Sequence, residues 1–282
     1  MKITIQNKYL SANINSFGAE LVNLVKNKHN YIWKIDEKFW NKTSPVLFPI
    51  VGQLKNNSFT LNQKEHKLPR HGFAREYEFK VLEKTASSVC FSLSENERTM
   101  KLYPFQFELI INYKLFKNNL KISYIVKNKS DIKMPFSIGA HPAFAINYDI
   151  KNYQILFDKK ENLNTCELEN GLLSEKYREI KTPNNKLDLN YLLFEKDALI
   201  FKKLNSKSII ILENNKPYIK INFGNFPNLG VWTKTDAPFL CLEPWFGYSD
   251  SQSSNGDLYI KEGIQILEAN NQFETSFSIE IL

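Results

Sequence analysis

Aromatic and β-branched residues alternate with polar residues in many short runs along this chain. Clear examples are Phe107–Phe116, Leu120–Val126, Tyr218–Phe223 and Thr275–Ile281. A period of two places successive side chains on opposite faces, which is the pattern of a half-buried β-strand. The short polar segment Lys117–Asn119 between the first two runs predicts a hairpin, and therefore antiparallel pairing.

Long stretches with helical periodicity are missing, and the best short helical candidates are Asp36–Trp40 and Leu187–Leu193. Many short strands with few helices favour an all-β fold. A chain of 282 residues would need large antiparallel sheets packed face to face in a β-sandwich. Length alone would fit two domains as well as one. Because no linker rich in Pro, Gly or Ser interrupts the pattern, we expect residues 1–282 to form a single domain.

The chain carries 37 basic and 30 acidic residues, which gives a formal net charge of +7. An excess of positive charge raises the question of a nucleic-acid partner. The lysines are scattered in short groups, such as Lys127–Lys129 and Lys202–Lys203, and no zinc-finger, RRM or KH signature accompanies them. We therefore expect no nucleic-acid partner, while weak attraction for a phosphorylated small molecule stays open.

The three cysteines, Cys90, Cys166 and Cys241, are far apart and form no C-x-x-C motif. This spacing indicates neither a disulfide framework nor a zinc site, and it favours a reducing compartment. The amino terminus alternates like a strand and lacks the apolar stretch and cleavage site of a secretory signal. No segment approaches the roughly 20 apolar residues of a membrane helix, so we expect a cytoplasmic protein without membrane contact.

Two titratable residues stand in apolar, aromatic surroundings. His141 lies in FSIGAHPAF at 136–144, and Glu243 lies in FLCLEPWFG at 239–247. If both side chains face one cavity, they can hold a proton donor and a proton acceptor at neutral pH without metal or organic cofactor. The alternatives are a hydrogen-bonded core histidine and a buried ion pair with Arg or Lys. Ionised groups are rarely buried unless they form an ion pair or have a functional role. The apolar surroundings of Glu243 therefore favour acid–base chemistry.

A third segment, PRHGFAR at 69–75, places Arg70, His71 and Arg75 around a glycine. The planar fork of arginine and the ring nitrogens of histidine suit the hydroxyl or phosphate oxygens of a polyhydroxylated ligand. A surface turn with salt-bridged arginines explains the same residues equally well. Asp197 could point a carboxylate into the same cleft or cap a turn. Trp245 could stack on a ligand ring, although such aromatics more often belong to the core.

The polar segment Ser249–Gly256 follows Glu243 closely and predicts a loop on the rim of the site. The sequence contains no phosphate loop, no G-x-G-x-x-G, no H-E-x-x-H and no G-x-S-x-G. Nucleotide hydrolysis, hydride transfer, zinc proteolysis and α/β-hydrolase chemistry are therefore disfavoured. A pair of carboxylates for glycoside hydrolysis stays open, but no second acid stands out as clearly as His141.

In their order and spacing these segments resemble the aldose 1-epimerase (mutarotase) family, and in particular its bacterial LacX-like branch, over nearly the whole chain. The matching motifs are SPVLFPIVG at 44–52, RHGFAR at 70–75, GAHPAF at 139–144, LGVW at 229–232, CLEPWFG at 241–247 and KEG at 261–263. The resemblance implies a large antiparallel β-sandwich of the galactose mutarotase type, which binds sugar in a cleft across one sheet.

The resemblance also implies roles for individual residues. His141 would be the general acid that protonates the ring oxygen, and Glu243 would be the general base that takes the proton from the anomeric hydroxyl. The ring then opens, the C1–C2 bond rotates, and reversed proton transfers close the ring on the other face. His71 would help to hold the ring-oxygen side, while Arg75 and Asp197 would bind hydroxyl groups.

One position departs from the family pattern. Galactose-specific members carry an Asn-Arg pair before the site and hexose-6-phosphate epimerases carry Arg-Gly-Gly, whereas Lys42–Pro45 stands there in this chain. Arg70 and Lys42 are the candidates to replace the missing arginine.

The expected substrate is a hexose or a close derivative, with phosphorylation left open and no cofactor required. A non-catalytic sugar-binding or sugar-sensing protein on the same fold is the alternative, followed by a lyase or hydrolase on a related sandwich. The sequence makes no prediction of the oligomeric state.

Overall fold

The computed structural model describes residues 1–146 and 149–282, and short antiparallel strands account for most of them. The strands are, in chain order, β1 (Lys2–Gln6), β2 (Ser11–Asn15), β3 (Glu20–Lys26), β4 (His29–Asn30), β5 (Val46–Leu47), β6 (Ser58–Leu61), β7 (Lys64–Lys67), β8 (Lys80–Lys84), β9 (Ser88–Ser94), β10 (Phe107–Phe116), β11 (Asn119–Asn128), β12 (Met134–Phe136), β13 (Ile138–Ala140), β14 (Ala143–Ala145), β15 (Tyr153–Phe157), β16 (Leu163–Glu169), β17 (Leu172–Ile180), β18 (Lys186–Asp188), β19 (Leu199–Phe201), β20 (Ser208–Glu213), β21 (Lys216–Asn222), β22 (Asn228–Trp232), β23 (Phe239–Phe246), β24 (Gln265–Leu267) and β25 (Gln272–Ile281).

Two large sheets dominate the architecture. One has nine strands in the order β18-β15-β20-β21-β25-β11-β10-β9-β8, and the other has the order β17-β16-β19-β22-β23-β13-β5, with β14 also paired to β23. Smaller sheets contain β1 to β4, β6 with β7, and β12 with β24. Within the described ranges, the named strands pair in antiparallel fashion. The prediction of a large antiparallel all-β sandwich is confirmed.

The predicted hairpin is also present. Strands β10 and β11 pair from Phe107 opposite Asn128 to Phe116 opposite Asn119. Lys117 in the connecting turn has a φ of 50°, the left-handed conformation that tight hairpin turns use. The predicted runs at 218–223 and 275–281 fall on β21 and β25.

The prediction of a helix at Asp36–Trp40 is wrong, and the prediction at Leu187–Leu193 is wrong for most of its length. Residues Asp36–Trp40 form a single turn, in which the Trp40 N–H donates to the Asp36 carbonyl at 3.0 Å. The segment 187–193 divides between β18 and the 3₁₀ turn Tyr191–Phe194. Helix α1 (Glu97–Leu102) is too short for the periodicity to reveal, and its sequence signal is the capping box between Asn96 and Thr99. Further 3₁₀ turns lie at Lys55–Asn57, Ala74–Glu76, Ile150–Asn152, Pro183–Asn185 and Leu258–Ile260.

Among the residues with described structure, no helix combines the length and apolar character needed to cross a membrane.

Aromatic side chains join the two large sheets. The rings of Phe157 on β15 and Phe201 on β19 have centroids 6.4 Å apart, and those of Phe273 on β25 and Phe246 on β23 lie 5.0 Å apart. All but the half-buried Phe273 are buried members of one continuous apolar cluster that draws on both sheets, and Phe273 packs against it. The core of the sandwich therefore lies between the sheets.

Strand β23 is buried along its whole length because both of its faces are covered. Leu240 and Leu242 belong to the core between the sheets. Side chains alternate across a strand, so Cys241, Glu243 and Trp245 lie on the opposite face, among separate apolar clusters and a cavity. This register places a carboxylate on the outer face of the eight-stranded sheet.

Candidate active site

A cavity of about 400 Å³ opens on this outer face, a size suited to a small-molecule ligand. It is lined by the residues for which the sequence suggested a catalytic or sugar-binding role, namely Arg70, His71, Arg75, His141, Asp197, Glu243 and Trp245. The structure adds Phe39, Trp40, Ala198, Trp232 and Lys234 to the lining. The fold thus brings the predicted site residues to one place, while their individual roles stay predictions.

His141 and Glu243 are in direct contact inside the cavity. Nε2 of His141 lies 3.2 Å from Oε2 of Glu243, and the two residues are 8% and 1% exposed. His141 directly follows β13, and β13 pairs with β23, which carries Glu243. Neighbouring strands of one sheet therefore hold the two side chains together.

Burial controls the protonation of this pair. It lowers the pKa of His141 to about 3, and the positive charges of Arg70 and Arg75 act in the same direction. Burial also raises the pKa of the Glu243 carboxyl well above its usual range, against the opposing effect of Arg70. Since both shifts favour the neutral form, burial favours a pair with a neutral imidazole and a protonated carboxyl. Transfer of the carboxyl proton across the contact converts the neutral pair into imidazolium and carboxylate.

The burial of a neutral histidine makes stability sensitive to acid. Because the folded pKa of His141 lies below the usual value of 6.5, its contribution to stability is present above pH 6.5 and is lost as the pH falls towards about 3. We expect the free energy of unfolding to fall more steeply between about pH 6.5 and pH 4 in the wild type than in His141→Gln, which lacks this titration. Urea unfolding at several pH values measures the two slopes, and equal slopes would contradict the expectation.

Two tryptophans that the sequence reasoning did not select enclose the His141 ring. Trp40 stacks on the imidazole with centroids 4.8 Å apart and planes at 29°, and Trp232 meets its edge at 5.8 Å and 88°. Trp232 stands in the LGVW motif, which was the available signal, whereas Trp40 lies in a polar segment without a motif. Together they fix the ring orientation and give the cavity an aromatic wall.

His71 is held in one neutral tautomer. Its backbone N–H donates to the Gly52 carbonyl at 2.7 Å, and the Gly52 N–H donates to its Nδ1 at 3.1 Å. Since Nδ1 accepts, the ring proton must sit on Nε2. Burial lowers the pKa of His71 well below its usual range, and the neighbouring His141 adds to the effect. At neutral pH His71 is therefore a hydrogen-bond donor rather than a source of protons.

Charged side chains also line the cavity. Nη2 of Arg70 lies 3.3 Å from Oδ2 of Asp197, and Nη2 of Arg75 donates to the Arg70 carbonyl at 2.8 Å. Lys42 instead pairs with Glu76 at 2.9 Å. Of the two candidates for the missing family arginine, Arg70 is the one that reaches the cavity.

Trp245 is packed within the sheet. It is 4% exposed, and its ring fills the space beside Gly139 and Gly230, where an added Cβ would lie 2.6 and 2.5 Å from indole atoms. Phe246 points to the other face, where it packs on Phe226 with centroids 5.0 Å apart. These contacts favour the core alternative for Trp245 and place Phe246 in the core as well, although Trp245 still contributes to the cavity lining.

The segment Ser249–Gly256 is a loop, as predicted, but it lines a second cavity of about 290 Å³. Its position follows from an ion pair, since Nζ of Lys261 lies 3.0 Å from Oδ1 of Asp250 and both side chains are 3% exposed. Oγ of Ser249 accepts from the Gln53 N–H at 3.0 Å. The loop therefore packs against the backbone at Gln53, next to Gly52, which hydrogen-bonds to His71. It does not form the rim of the first cavity.

Loss of the Lys261 charge should be strongly destabilising. Lys261→Met leaves the buried Asp250 carboxylate without a counter-ion, although the Lys55 N–H still donates to its Oδ2. Breaking a buried ion pair in this way costs about 3–5 kcal/mol in the free energy of unfolding. The matched control is Lys176→Met, which breaks a pair with Glu169 that lies in solvent and should leave stability nearly unchanged. Urea denaturation of both variants measures the difference, and a Lys261→Met protein as stable as the control would refute the assignment.

Solved structures of the galactose mutarotase type share this fold. A galactose mutarotase-related enzyme from Lactobacillus acidophilus is 30% identical with a TM-score of 0.95, covering 100% of this chain and 97% of that one. A galactose mutarotase-like protein from Lactobacillus casei is 28% identical with a TM-score of 0.95 over 100% of both chains. A galactose 1-epimerase from Lactobacillus acidophilus is 13% identical with a TM-score of 0.75, covering 100% of this chain and 94% of that one, and shows the fold alone.

Sequence comparison agrees with the structural comparison. The family model described as aldose 1-epimerase matches residues 1–259. The plasmid-encoded LacX protein of Lactococcus lactis subsp. lactis is 32% identical over 100% of both chains. This chain belongs to the aldose 1-epimerase family, which confirms the resemblance seen in its motifs.

Proposed function

We propose that this protein is an aldose 1-epimerase that interconverts the α and β anomers of a hexose or a close derivative. The supporting observation is the 3.2 Å contact between His141 and Glu243 in a small-molecule cavity. In a cyclic sugar the ring oxygen and the anomeric hydroxyl are bonded to the same carbon. An acid and a base that act on these two oxygens must therefore be close neighbours, as this pair is.

The single proton of the pair matches the demands of the reaction. Glu243 as carboxylate takes the proton from the anomeric hydroxyl, a C=O bond forms at C1, and the C1–O bond to the ring oxygen breaks. His141 as imidazolium delivers its proton to that oxygen. Both groups are then neutral, the state that burial favours, while the sugar is an open-chain aldehyde. Rotation about C1–C2 and the reverse transfers close the ring on the other face, with no net gain or loss of protons.

The remaining lining residues fit the task of holding a sugar. The Nε2–H of His71 can donate to the ring oxygen, and the Arg70–Asp197 pair and Arg75 offer donors and an acceptor for hydroxyl groups. Trp40 supplies an aromatic wall for the apolar face of the ring. Anomers already interconvert in water, so two proton relays worth about 10²–10⁴ each are sufficient.

Polarimetry of freshly dissolved α-glucose and α-galactose, with and without protein, tests the proposal. We expect the approach to the anomeric equilibrium to accelerate in proportion to protein concentration for at least one hexose. The same assay with glucose 6-phosphate and galactose 6-phosphate decides whether phosphorylated substrates are used. Sugar binding without acceleration across this panel would favour the sugar-binding alternative, and a cleaved or unsaturated product would favour the lyase or hydrolase.

A further inference from the structure

Cys241 extends the His141–Glu243 pair into a cluster of three metal-ligating side chains. It lies two residues before Glu243 on the same face of β23, and its thiol is free and fully buried. One ligand atom from each of His141, Cys241 and Glu243 lies within 4.8 Å of the others. The cysteine spacing in the sequence gave no sign of this cluster, because the strands β13 and β23 meet only in the folded sheet.

We propose that His141, Cys241 and Glu243 bind a thiophilic divalent cation such as Zn²⁺, and that the bound ion excludes the sugar. Thiolate, imidazole and carboxylate are the ligands that Zn²⁺ takes in proteins. The distance of 3.2 Å between Nε2 of His141 and Oε2 of Glu243 is close to the roughly 3.3 Å between two tetrahedral ligands whose bonds to zinc are about 2.0–2.1 Å. His141 and Glu243 also line the cavity, so an ion that they hold competes with the sugar for the same two side chains.

Charge and solvation favour the soft dication over other ions. Oε2 of Glu243 is buried and accepts no well-aligned hydrogen bond in the described structure, although Nε2 of His141 lies 3.2 Å away, so its lone pairs are available. A dication with one thiolate, one carboxylate and one neutral imidazole carries no net charge, which limits the cost of burial. Arg70 and Arg75 line the same cavity and repel a cation whose charge is not neutralised. The thiolate is therefore essential, and hard ions such as Mg²⁺, which prefer oxygen ligands, should not bind.

Titration of the full-length protein with Co²⁺ tests the site directly. We expect about one equivalent to bind with a thiolate-to-Co²⁺ charge-transfer band and the visible bands of a tetrahedral site. Zn²⁺ should abolish both signals and Mg²⁺ should leave them unchanged. Cys241→Ser should lose the charge-transfer band. Cys166→Ser is the matched control, because Cys166 is also buried but lies outside the cluster, and it should keep the band.

A second variant tests the site without altering the thiol. In His141→Gln, Zn²⁺ affinity measured by competition with a chelating dye should fall by more than about 100-fold, since even changes beyond the ligands cost about 10- to 100-fold. Absence of the band in the wild type, its persistence in Cys241→Ser, or unchanged Zn²⁺ affinity in His141→Gln would each overturn the proposal. None of these readouts requires turnover, so their failure is distinct from a failure of the proposed epimerase activity.

Discussion

Glu243→Gln should slow protein-catalysed anomer exchange by about 10²–10⁴-fold while sugar binding stays nearly unchanged. The amide has the shape of the carboxyl group and fits a site that is 1% exposed, but it cannot take the proton of the anomeric hydroxyl. Burial favours the protonated form of Glu243, whereas the amide needs no proton, so the variant should be at least as stable as the wild type. Polarimetry gives the rate and calorimetric titration gives the sugar affinity.

Glu262→Gln is the matched control for this substitution. Glu262 lies on the second cavity, where it accepts from Tyr248 and Lys202, so its loss should leave the exchange rate within about twofold of the wild type. A Glu243→Gln protein with wild-type activity would exclude a base at this position. Parallel loss of rate and of sugar affinity would instead assign Glu243 to binding.

His141→Gln should also reduce the exchange rate by about 10²–10⁴-fold, because glutamine cannot deliver a proton to the ring oxygen. The double variant His141→Gln/Glu243→Gln should be only slightly slower than the slower single variant. The two residues act as one unit that shares a proton across 3.2 Å, and groups that act as a unit show strongly non-additive losses. Rate constants for the four proteins give the coupling.

His66→Gln controls for the loss of a buried histidine elsewhere. His66 is 8% exposed and stacks on Phe59, so this change should leave the exchange rate unaltered. If the two single losses at His141 and Glu243 multiply in the double variant, the residues act independently and the shared-proton mechanism is wrong.

The alternation of side chains identified the fold because it is a local property of each strand. The hairpin of β10 and β11 could be predicted to within a residue or two, since both strands and the turn between them are contiguous in sequence. The turn at Asp36–Trp40 was mistaken for a helix because one closed turn and a short helix have the same local signals. Helix α1 (Glu97–Leu102) could not be predicted from hydrophobic periodicity, because six residues are too few to show the 3.6-residue period of a helix.

Parts of the candidate site were visible in the sequence for a different physical reason. His141 and Glu243 stand out in the sequence because burying an ionisable group among apolar residues is costly unless it has a polar partner. The structure places the two side chains in contact with each other. Trp40 and Cys241 become neighbours of His141 only through the packing of separate segments, which no local pattern encodes. The loop at 249–256 was expected at the rim of the first cavity, but it lines the second. The buried ion pair between Asp250 and Lys261 holds it there, and the sequence gives no sign of this pairing.

The most direct test is two-dimensional exchange NMR on a hexose at its anomeric equilibrium, where no net conversion occurs. With the wild-type protein, we predict exchange cross-peaks between the α and β anomeric protons at mixing times too short for the uncatalysed reaction. These cross-peaks should disappear with Glu243→Gln although the sugar still binds. Sugar signals that broaden through binding to the wild type, with no cross-peaks for any hexose or hexose phosphate of the panel, would contradict the epimerase assignment.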